Sequence, residues 1–176
     1  GKIGDGDLGF TILHGLEEVN NNISKFTDDM GLNFMLCSQA FVKKSGSSFG
    51  TLIAFSFINI SKNLKGKAKC NHDDIIRIFE TALTTILERG KTNLGDKTIA
   101  DSLDLIIKNL KNNQNYSEVF KSSTKQALDD FKGKKILHAD DSPTARRQVA
   151  DTLAQLGIEI IPATDGLEAL KTLQKW

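Results

Sequence analysis

The stretch Ile3-Gly4-Asp5-Gly6-Asp7-Leu8-Gly9-Phe10-Thr11 organises the interpretation of the whole chain. Its two carboxylates are separated by one glycine, which lets the backbone turn sharply, and carboxylate oxygens are ligands that Mg2+ prefers. Apolar residues at helical spacing follow, so we expect a helix to begin near Gly9 with its free N–H groups close to the acidic loop. The stretch predicts a shared site for a metal ion and a phosphate group. The alternative is a plain turn, because glycine and aspartate are common turn residues.

The overall composition excludes several classes of protein. The 176 residues include 23 Lys and Arg against 22 Asp and Glu, scattered along the chain, so no basic surface for nucleic acid or membranes is predicted. The two cysteines, Cys37 and Cys70, lack Cys-x-x-Cys spacing and predict free thiols in a reducing compartment. No membrane span or signal peptide is recognisable, so we expect a soluble cytoplasmic protein. Because the chain begins with Gly rather than Met, we expect a fragment.

Residues 9–132 show apolar residues at helical spacing, which predicts a mainly α-helical half. The helix around 49–64 is apolar nearly all round, so we expect it to lie centrally. The lysine-rich segment 62–69 is predicted to be a solvated connector. The short loops favour an antiparallel bundle. The six predicted helices span residues 9–24, 29–42, 49–64, 71 or 73 to 90, 99–110 and 117–131.

The pattern changes after Gly133. Residues 136–141 form a short apolar run that ends in two acids, as a buried parallel strand would. Ser142 and Pro143 then supply an N-cap and a first-turn proline for a helix that stops at Gly157. A second strand at 158–163 and a second helix at 166–176 complete a β-α-β-α pattern, the opening of a doubly wound sheet. Two parallel strands are not stable alone, so we expect further strands to belong to this fold.

Two further loops join the acidic stretch as candidate phosphate-binding elements. Residues 44–51 (KSGSSFGT) and 90–98 (GKTNLGDKT) each place glycine and hydroxyl side chains at a predicted helix start. Backbone amides and hydroxyls in such loops can hold a phosphate, although each loop alone is also explained as a helix cap. If alternate loops face the same way, all three lie at one end of the bundle. This arrangement favours a phosphate-binding site.

Together these residues resemble the ADP-binding L subunit of dihydroxyacetone kinase over residues 1–132. The resemblance implies a barrel of antiparallel helices, here incomplete, that holds ADP or ATP and Mg2+ at one end. It implies that Asp5 and Asp7 bind the metal, and it assigns no catalytic side chain. The matching residues are Ile3 to Gly9, Gly15, Ser45-Gly46, Phe49-Gly50, Gly90-Lys91, Gly95-Asp96-Lys97-Thr98 and Asp101. The residues implied to surround the nucleotide are Leu8, Gly9, Phe10, Thr11, Lys44, Ser45, Gly90, Thr98 and Ile99.

The same resemblance implies a function and partners. In this family a separate substrate-binding subunit holds dihydroxyacetone on a histidine, and in some bacteria a phosphoprotein of the sugar phosphotransferase system recharges the bound ADP. The implied reaction is phosphoryl transfer to a small keto-sugar or polyol, which depends on metal neutralisation of phosphate charge and on positioning.

The chain also departs from the family pattern. Leu8 replaces the usual histidine, and Lys43-Lys44 and Ser47-Ser48 replace residues of a more glycine-rich loop. The resemblance implies a third metal-binding aspartate five residues before Asp5 and further helices after residue 132, and we expect these 176 residues to lack both.

Residues 134–176 resemble something different, the beginning of a response-regulator receiver domain of the flavodoxin-like fold, in the type found in chemotaxis coupling proteins. By this resemblance Asp140 and Asp141 belong to a Mg2+ pocket. The phosphoacceptor aspartate, the switch threonine and the switch lysine have no counterpart, so we expect no phosphoryl transfer to this segment.

The sequence therefore predicts a chimera or truncated fusion, with a kinase-like part at 1–132 and a receiver-like part at 133–176. One hypothesis is a kinase component that transfers phosphoryl groups from Mg-nucleotide. The alternatives are a signalling module that binds a chemotaxis protein and an inactive remnant. Apolar surface left by the unfinished sheet and barrel predicts self-association.

Overall fold

The computed structural model describes residues 7–44, 46–96, 98–131, 135–155 and 157–173, without the side chains of residues 7, 8, 128 and 131. The chain divides into two compact units, one from Leu8 to Ala127 and one that contains residues 128–173. Helices dominate the described residues, which confirms the predicted mainly α-helical fold. None of the helices among these residues has both the length and the apolar character needed to cross a membrane.

The first unit contains the helices predicted for the N-terminal half, with bounds that differ by a few residues from the predicted ones. A single 3₁₀ turn, Ile23–Lys25, follows the first helix. The helices are α1 Asp7–Asn21, α2 Met30–Lys44, α3 Ser48–Leu64, α4 His72–Gly90, α5 Ile99–Asn112 and α6 Tyr116–Phe131, the last of which runs on past the end of the unit.

Side-chain caps determine where two of these helices begin. The Asn71 side chain accepts a hydrogen bond from the Asp74 N–H at 2.8 Å, and the Asp74 carboxylate accepts one from the Asn71 N–H at 3.2 Å. Thr98 and Asp101 form the same reciprocal capping box at the start of α5. At the end of α4 the left-handed residue is Lys91, with φ 51°, rather than the predicted Gly90, which is still helical.

Helices α2, α3 and α4 run antiparallel, with α3 between the other two. The Ser38 hydroxyl of α2 donates to the carbonyl of Ala54 in α3 at 2.9 Å. On the α4 side, Asn59 Nδ2 donates to Thr85 Oγ1 at 3.0 Å and Asn63 Nδ2 donates to Thr81 Oγ1, also at 3.0 Å. Because Asn59 pairs with Thr85 and Asn63 with Thr81, α3 and α4 run in opposite directions. The C-termini of α2 and α4 therefore lie on the same side of the unit as the N-terminus of α3.

Helices α5 and α6 pack against α4. Asn109 Nδ2 of α5 donates to Ser123 Oγ of α6 at 2.9 Å, and the rings of Phe79 in α4 and Phe120 in α6 lie 5.8 Å apart. His72 Nε2, at the start of α4, donates to the carbonyl of Leu110 at 2.9 Å. Each of the three helices therefore contacts the other two.

The connector at 62–69 is mostly exposed, as predicted, although residues 62–64 belong to α3 and the rest is held by specific contacts. The carbonyl of Lys67 accepts a hydrogen bond from the Met30 N–H at 2.8 Å, and Asp29 Oδ2 accepts one from the Gly66 N–H at 3.0 Å. The Lys67 ammonium also forms an ion pair with Asp74. The connector is therefore attached to the starts of both α2 and α4. Periodicity could not predict this, because the contacts join residues that are distant in sequence.

The second unit contains the predicted β-α-β-α arrangement: β1 Lys135–Ala139, α7 Pro143–Ala154, β2 Glu159–Ala163 and α8 Gly166–Leu173. The two strands pair in parallel, from Lys135 opposite Glu159 to Ala139 opposite Ala163. Ser142 caps α7 by accepting from the Ala145 N–H at 3.3 Å. These two short strands do not by themselves identify a receiver domain, and the predicted domain boundary at 132 stays a prediction.

Candidate functional site

Helix α1 meets the α2–α3 hairpin at the end where the connecting loop lies. Thr11 is only 6% exposed, and its hydroxyl oxygen lies 2.8 Å from that of Ser47, the N-cap of α3. Four residues on, α1 lies so close to the Phe41 side chain that a Cβ atom at Gly15 would be 2.5 Å from its ring. Both contacts reach residues 41–47, so α1 packs against the loop end of the hairpin.

A buried carboxylate, that of Glu18, forms a further contact between α1 and α2. The side chain of Glu18 is 8% exposed and lies between two lysines of α2. Its Oε1 accepts a hydrogen bond from Lys43 Nζ at 2.7 Å and another from Asn22 Nδ2 at 3.1 Å, whereas its Oε2 lies 3.7 Å from Lys44 Nζ. The hydrogen bond from Lys43 holds the pKa of Glu18 below its ordinary value even though burial opposes this. One carboxylate thus faces two ammonium groups, which leaves a positive excess beside the loop that leads to α3.

The start of α3 has the features of an anion-binding helix terminus. Ser47 Oγ accepts from the Gly50 N–H at 3.1 Å, which caps the helix. The N–H groups of the first residues of a helix have no partner inside that helix and point outward. A Cβ at Gly46 would meet no atom within 4 Å, so open space adjoins the loop on this side. This end of α3 can accommodate an anion such as a phosphate.

The end of α4 and the start of α5 lie at the same end of the unit. A Cβ at Gly90 would lie 3.5 Å from the Leu52 side chain, so the last turn of α4 lies against the first turns of α3. Thr98 Oγ1 accepts from the Ala100 N–H at 3.2 Å, and the Asp101 carboxylate accepts from the Thr98 N–H at 2.8 Å. The described hydrogen bonds of Thr98 therefore serve its own helix cap.

The predicted nucleotide residues divide into three groups. Thr11 and Lys44 come together at the α1 junction, beside the loop before α3. Gly90, Thr98 and Ile99 lie on the neighbouring α4–α5 side of the same end. Gly9 is exposed, as is Phe10, whose ring is tilted by 32° against that of His14 with the ring centroids 5.8 Å apart. Outside the description lie Asp5, Ser45 and the side chains of Asp7 and Leu8, although the backbone of Asp7 is the first residue of α1.

The metal assignments gain no direct support from the described contacts. No group of three His, Cys, Asp or Glu side chains with metal-binding geometry exists within the described residues. In the second unit, Asp140 and Asp141 follow β1 as predicted, but Asp140 Oδ1 accepts from the Ser142 N–H at 2.8 Å and so serves the turn into α7. Asp140 Oδ2 lies 4.0 Å from His138 Nε2. The magnesium roles of these aspartates stay predictions.

Sequence reasoning missed Glu18 and Lys43, whereas Ser47 lies inside the predicted loop 44–51 but was not singled out as the cap. A signal for Glu18 was present, because Thr11, Gly15 and Glu18 have the i, i+4, i+7 spacing that places residues on one face of a helix. That face is polar or small, yet it is the buried one, whereas Phe10 and Leu13 are 52% and 50% exposed. A search for apolar faces therefore selected the wrong side of α1.

Comparison with known proteins supplies the family. The DAK2 domain model matches residues 2–157, and so extends beyond the predicted boundary at 132. The ADP-binding subunit DhaL of PEP-dependent dihydroxyacetone kinase 1 from Listeria innocua is 27% identical over 128 residues, which are 72% of this chain and 64% of the relative. The corresponding subunit from Escherichia coli is 24% identical over 111 residues, 62% of this chain and 53% of that protein. A probable dihydroxyacetone kinase from Dictyostelium discoideum is 30% identical over 134 residues, 68% of this chain and 20% of that protein.

The chain spans less than two thirds of the length of these relatives. No solved structure matches it significantly. The matches confirm the resemblance to ADP-binding subunits of dihydroxyacetone kinase, whereas no match supports a receiver domain. The chain belongs to the DAK2 domain family.

Proposed function

We propose that this chain binds ADP or ATP with Mg2+ and acts as the nucleotide-binding component of a dihydroxyacetone-type kinase. The family match and the names of its relatives support this proposal. The structural observation that carries it is the junction of α1 with the α2–α3 hairpin, where the Thr11 hydroxyl meets the N-cap of α3 beside Lys44.

The junction suits a polyphosphate for two physical reasons. The N-terminus of α3 carries outward N–H groups and a partial positive charge from the helix dipole. The two lysines around Glu18, which belong to the last turn of α2, add one net positive charge to the residues that precede the loop before α3. On the exposed surface at this end, Phe10 and Ile99 are 52% and 41% exposed and can pack against the nucleoside.

Magnesium fits the donors that the acidic loop offers. Asp5 and Asp7 supply carboxylate oxygens, the hard ligands this ion prefers, and they are the residues that would hold it. The bound ion would neutralise charge on the phosphate oxygens. The chain itself then fixes the phosphates at the helix start, and positioning of this kind is most of what phosphoryl transfer requires from a protein.

The acceptor lies on a partner in this proposal. A separate substrate-binding subunit presents a small keto-sugar or polyol to the phosphoryl group. A phosphoprotein of the sugar phosphotransferase system recharges the ADP where such a system exists.

Calorimetric titration with ADP, with and without Mg2+, tests the binding function. We expect saturable binding that requires Mg2+ and weakens when both Asp5 and Asp7 are changed to Asn. Thr11→Val, which removes one hydroxyl at the junction, should also weaken binding. The matched control is Thr124→Val, on the exposed surface of α6, and it should bind as the unchanged chain does. The absence of magnesium-dependent binding in the unchanged chain would refute the proposal.

A second candidate function concerns the second unit. The parallel pairing of β1 and β2, with Asp140 and Asp141 directly after β1, favours a receiver-like fragment that binds a chemotaxis protein without accepting phosphate. A binding assay with a purified chemotaxis protein should show binding to the full chain that is lost when the chain is shortened after residue 132. Equal binding by the two chains would contradict this candidate.

A further inference from the structure

The two lysines at the end of α2 hold the same carboxylate in different ways. Lys43 Nζ lies 2.7 Å from Glu18 Oε1, within hydrogen-bond distance, whereas Lys44 Nζ lies 3.7 Å from Oε2, beyond it. Lys44 is therefore attracted to Glu18 by charge without giving up a hydrogen-bond donor. An ammonium group has three N–H donors, so those of Lys44 can still reach another anion.

Glu18 must have a positive partner. Its side chain is 8% exposed, and a buried carboxylate without a compensating charge is strongly unfavourable. While Lys43 donates to it, the two form a neutral pair and Lys44 carries the uncompensated charge. If Lys43 lost its ammonium group, Lys44 would be the nearest replacement, because it already lies 3.7 Å away.

We propose that Lys43 is a positioning residue for nucleotide binding: it neutralises Glu18 and thereby leaves Lys44 available to a phosphate group. The inference rests on the proposed function, since it concerns the affinity of that same site. Lys43 need not touch the nucleotide. Its described hydrogen bond goes to Glu18, so the carboxylate already engages its ammonium group.

The competing explanation is a general electrostatic effect, in which any positive charge near the site attracts phosphate. The two explanations differ in how Lys43 depends on Lys44. In the proposed mechanism Lys43 acts only through Lys44, so its removal has no further effect once Lys44 is gone. A general field instead makes the two lysines act independently.

The experiment is a mutant cycle read by calorimetric titration with Mg-ADP. We expect Lys43→Met to weaken binding about threefold to fivefold, the upper part of the range of an exposed ion pair. The double variant Lys43→Met, Glu18→Gln should recover to within about twofold of the unchanged chain, because no carboxylate is left to capture Lys44. In a Lys44→Met background, Lys43→Met should change the affinity by less than about twofold. Circular dichroism and thermal unfolding establish that each variant is folded.

A second measurement tests the pairing without nucleotide. The acylation rate of Lys44, followed by mass spectrometry of the proteolytic peptide that contains it, should fall in Lys43→Met as Glu18 captures the ammonium group. It should rise again when Glu18→Gln is added. An unchanged rate in Lys43→Met would overturn the proposed exchange of partners.

The outcomes separate this inference from the function on which it rests. If the unchanged chain binds no Mg-ADP, both fail. If it binds, but Lys43→Met weakens binding equally with and without Lys44, only the positioning role is refuted. Failure of Glu18→Gln to restore affinity to Lys43→Met would refute it as well.

Discussion

The hydroxyl oxygens of Thr11 and Ser47 lie 2.8 Å apart and connect the first turns of α1 to the N-cap of α3. Ser47 Oγ also accepts from the Gly50 N–H at 3.1 Å, so the same side chain caps α3 and contacts α1. A substitution at Thr11 therefore removes a contact of the residue that caps α3, the helix terminus that we propose binds phosphate. The predictions below test this junction and the parts of the fold that support it.

Replacing Ser47 by alanine should destabilise the helical unit by about 1 kcal/mol, the usual effect of losing a side-chain N-cap. The same change should weaken ADP binding, because the partner of the Thr11 hydroxyl is lost. Urea denaturation and calorimetry measure the two effects. Ser48→Ala is the matched control, since Ser48 is exposed and lies inside α3 rather than at its cap. Equal losses in the two variants would contradict the capping role.

Replacing Gly15 by alanine should destabilise the protein by about 1 to 3 kcal/mol, the range for overpacking a tight contact. The added Cβ would lie 2.5 Å from the Phe41 ring, so α1 or the ring must shift. Gly46→Ala is the control, because its Cβ would meet no atom within 4 Å. Thermal unfolding should show a clear loss for the first variant and little change for the second. Adding Phe41→Leu to Gly15→Ala should restore part of the loss, and no recovery would contradict the packing explanation.

Stability should depend on pH through Asp74. The hydrogen bond from Lys67 and then that from the Asn71 N–H hold the pKa of Asp74 below its ordinary value. Because the folded state binds this proton more weakly than the unfolded state, the contribution is fully present above the ordinary aspartate pKa. It is lost as pH falls through the lower folded pKa.

Urea denaturation at several acidic pH values measures this effect. The free energy of unfolding should fall less steeply with acidification in Asp74→Asn than in the unchanged chain. The neighbour Asp73 is exposed, so Asp73→Asn should keep the original pH dependence. Identical pH profiles for all three proteins would show that Asp74 does not contribute.

Replacing Gly157 by alanine should destabilise the second unit by about 1 kcal/mol, because Gly157 has φ 74° and other residues are strained there. Hydrogen exchange of α7 and β2 should become faster. Gly166→Ala is the control, because Gly166 is helical and a Cβ there would meet open space. An equal loss of hydrogen-exchange protection in Gly157→Ala and Gly166→Ala would contradict the explanation from the positive φ of Gly157.

Local sequence signals predicted much of the fold. Helix α5 was expected after Thr98, and the structure begins it at Ile99 with Thr98 as its cap. Ser142 and Pro143 likewise predicted the start of α7. Such signals succeed because capping hydrogen bonds join residues two or three positions apart, so the required geometry is local. The contact of α1 with the loop before α3 had no such local determinant, since Thr11 and Ser47 are 36 positions apart.

The amino-acid order alone determined which segments are helices and strands, because periodicity, caps and turn residues act over a few neighbours. It also carried enough pattern to indicate the kinase-subunit family. Tertiary structure alone decided that α1 buries its polar face and that Glu18 lies between Lys43 and Lys44. The reason is physical: a carboxylate is buried only where cations from another helix can compensate it, and the approach of two helices is decided by packing across the whole unit.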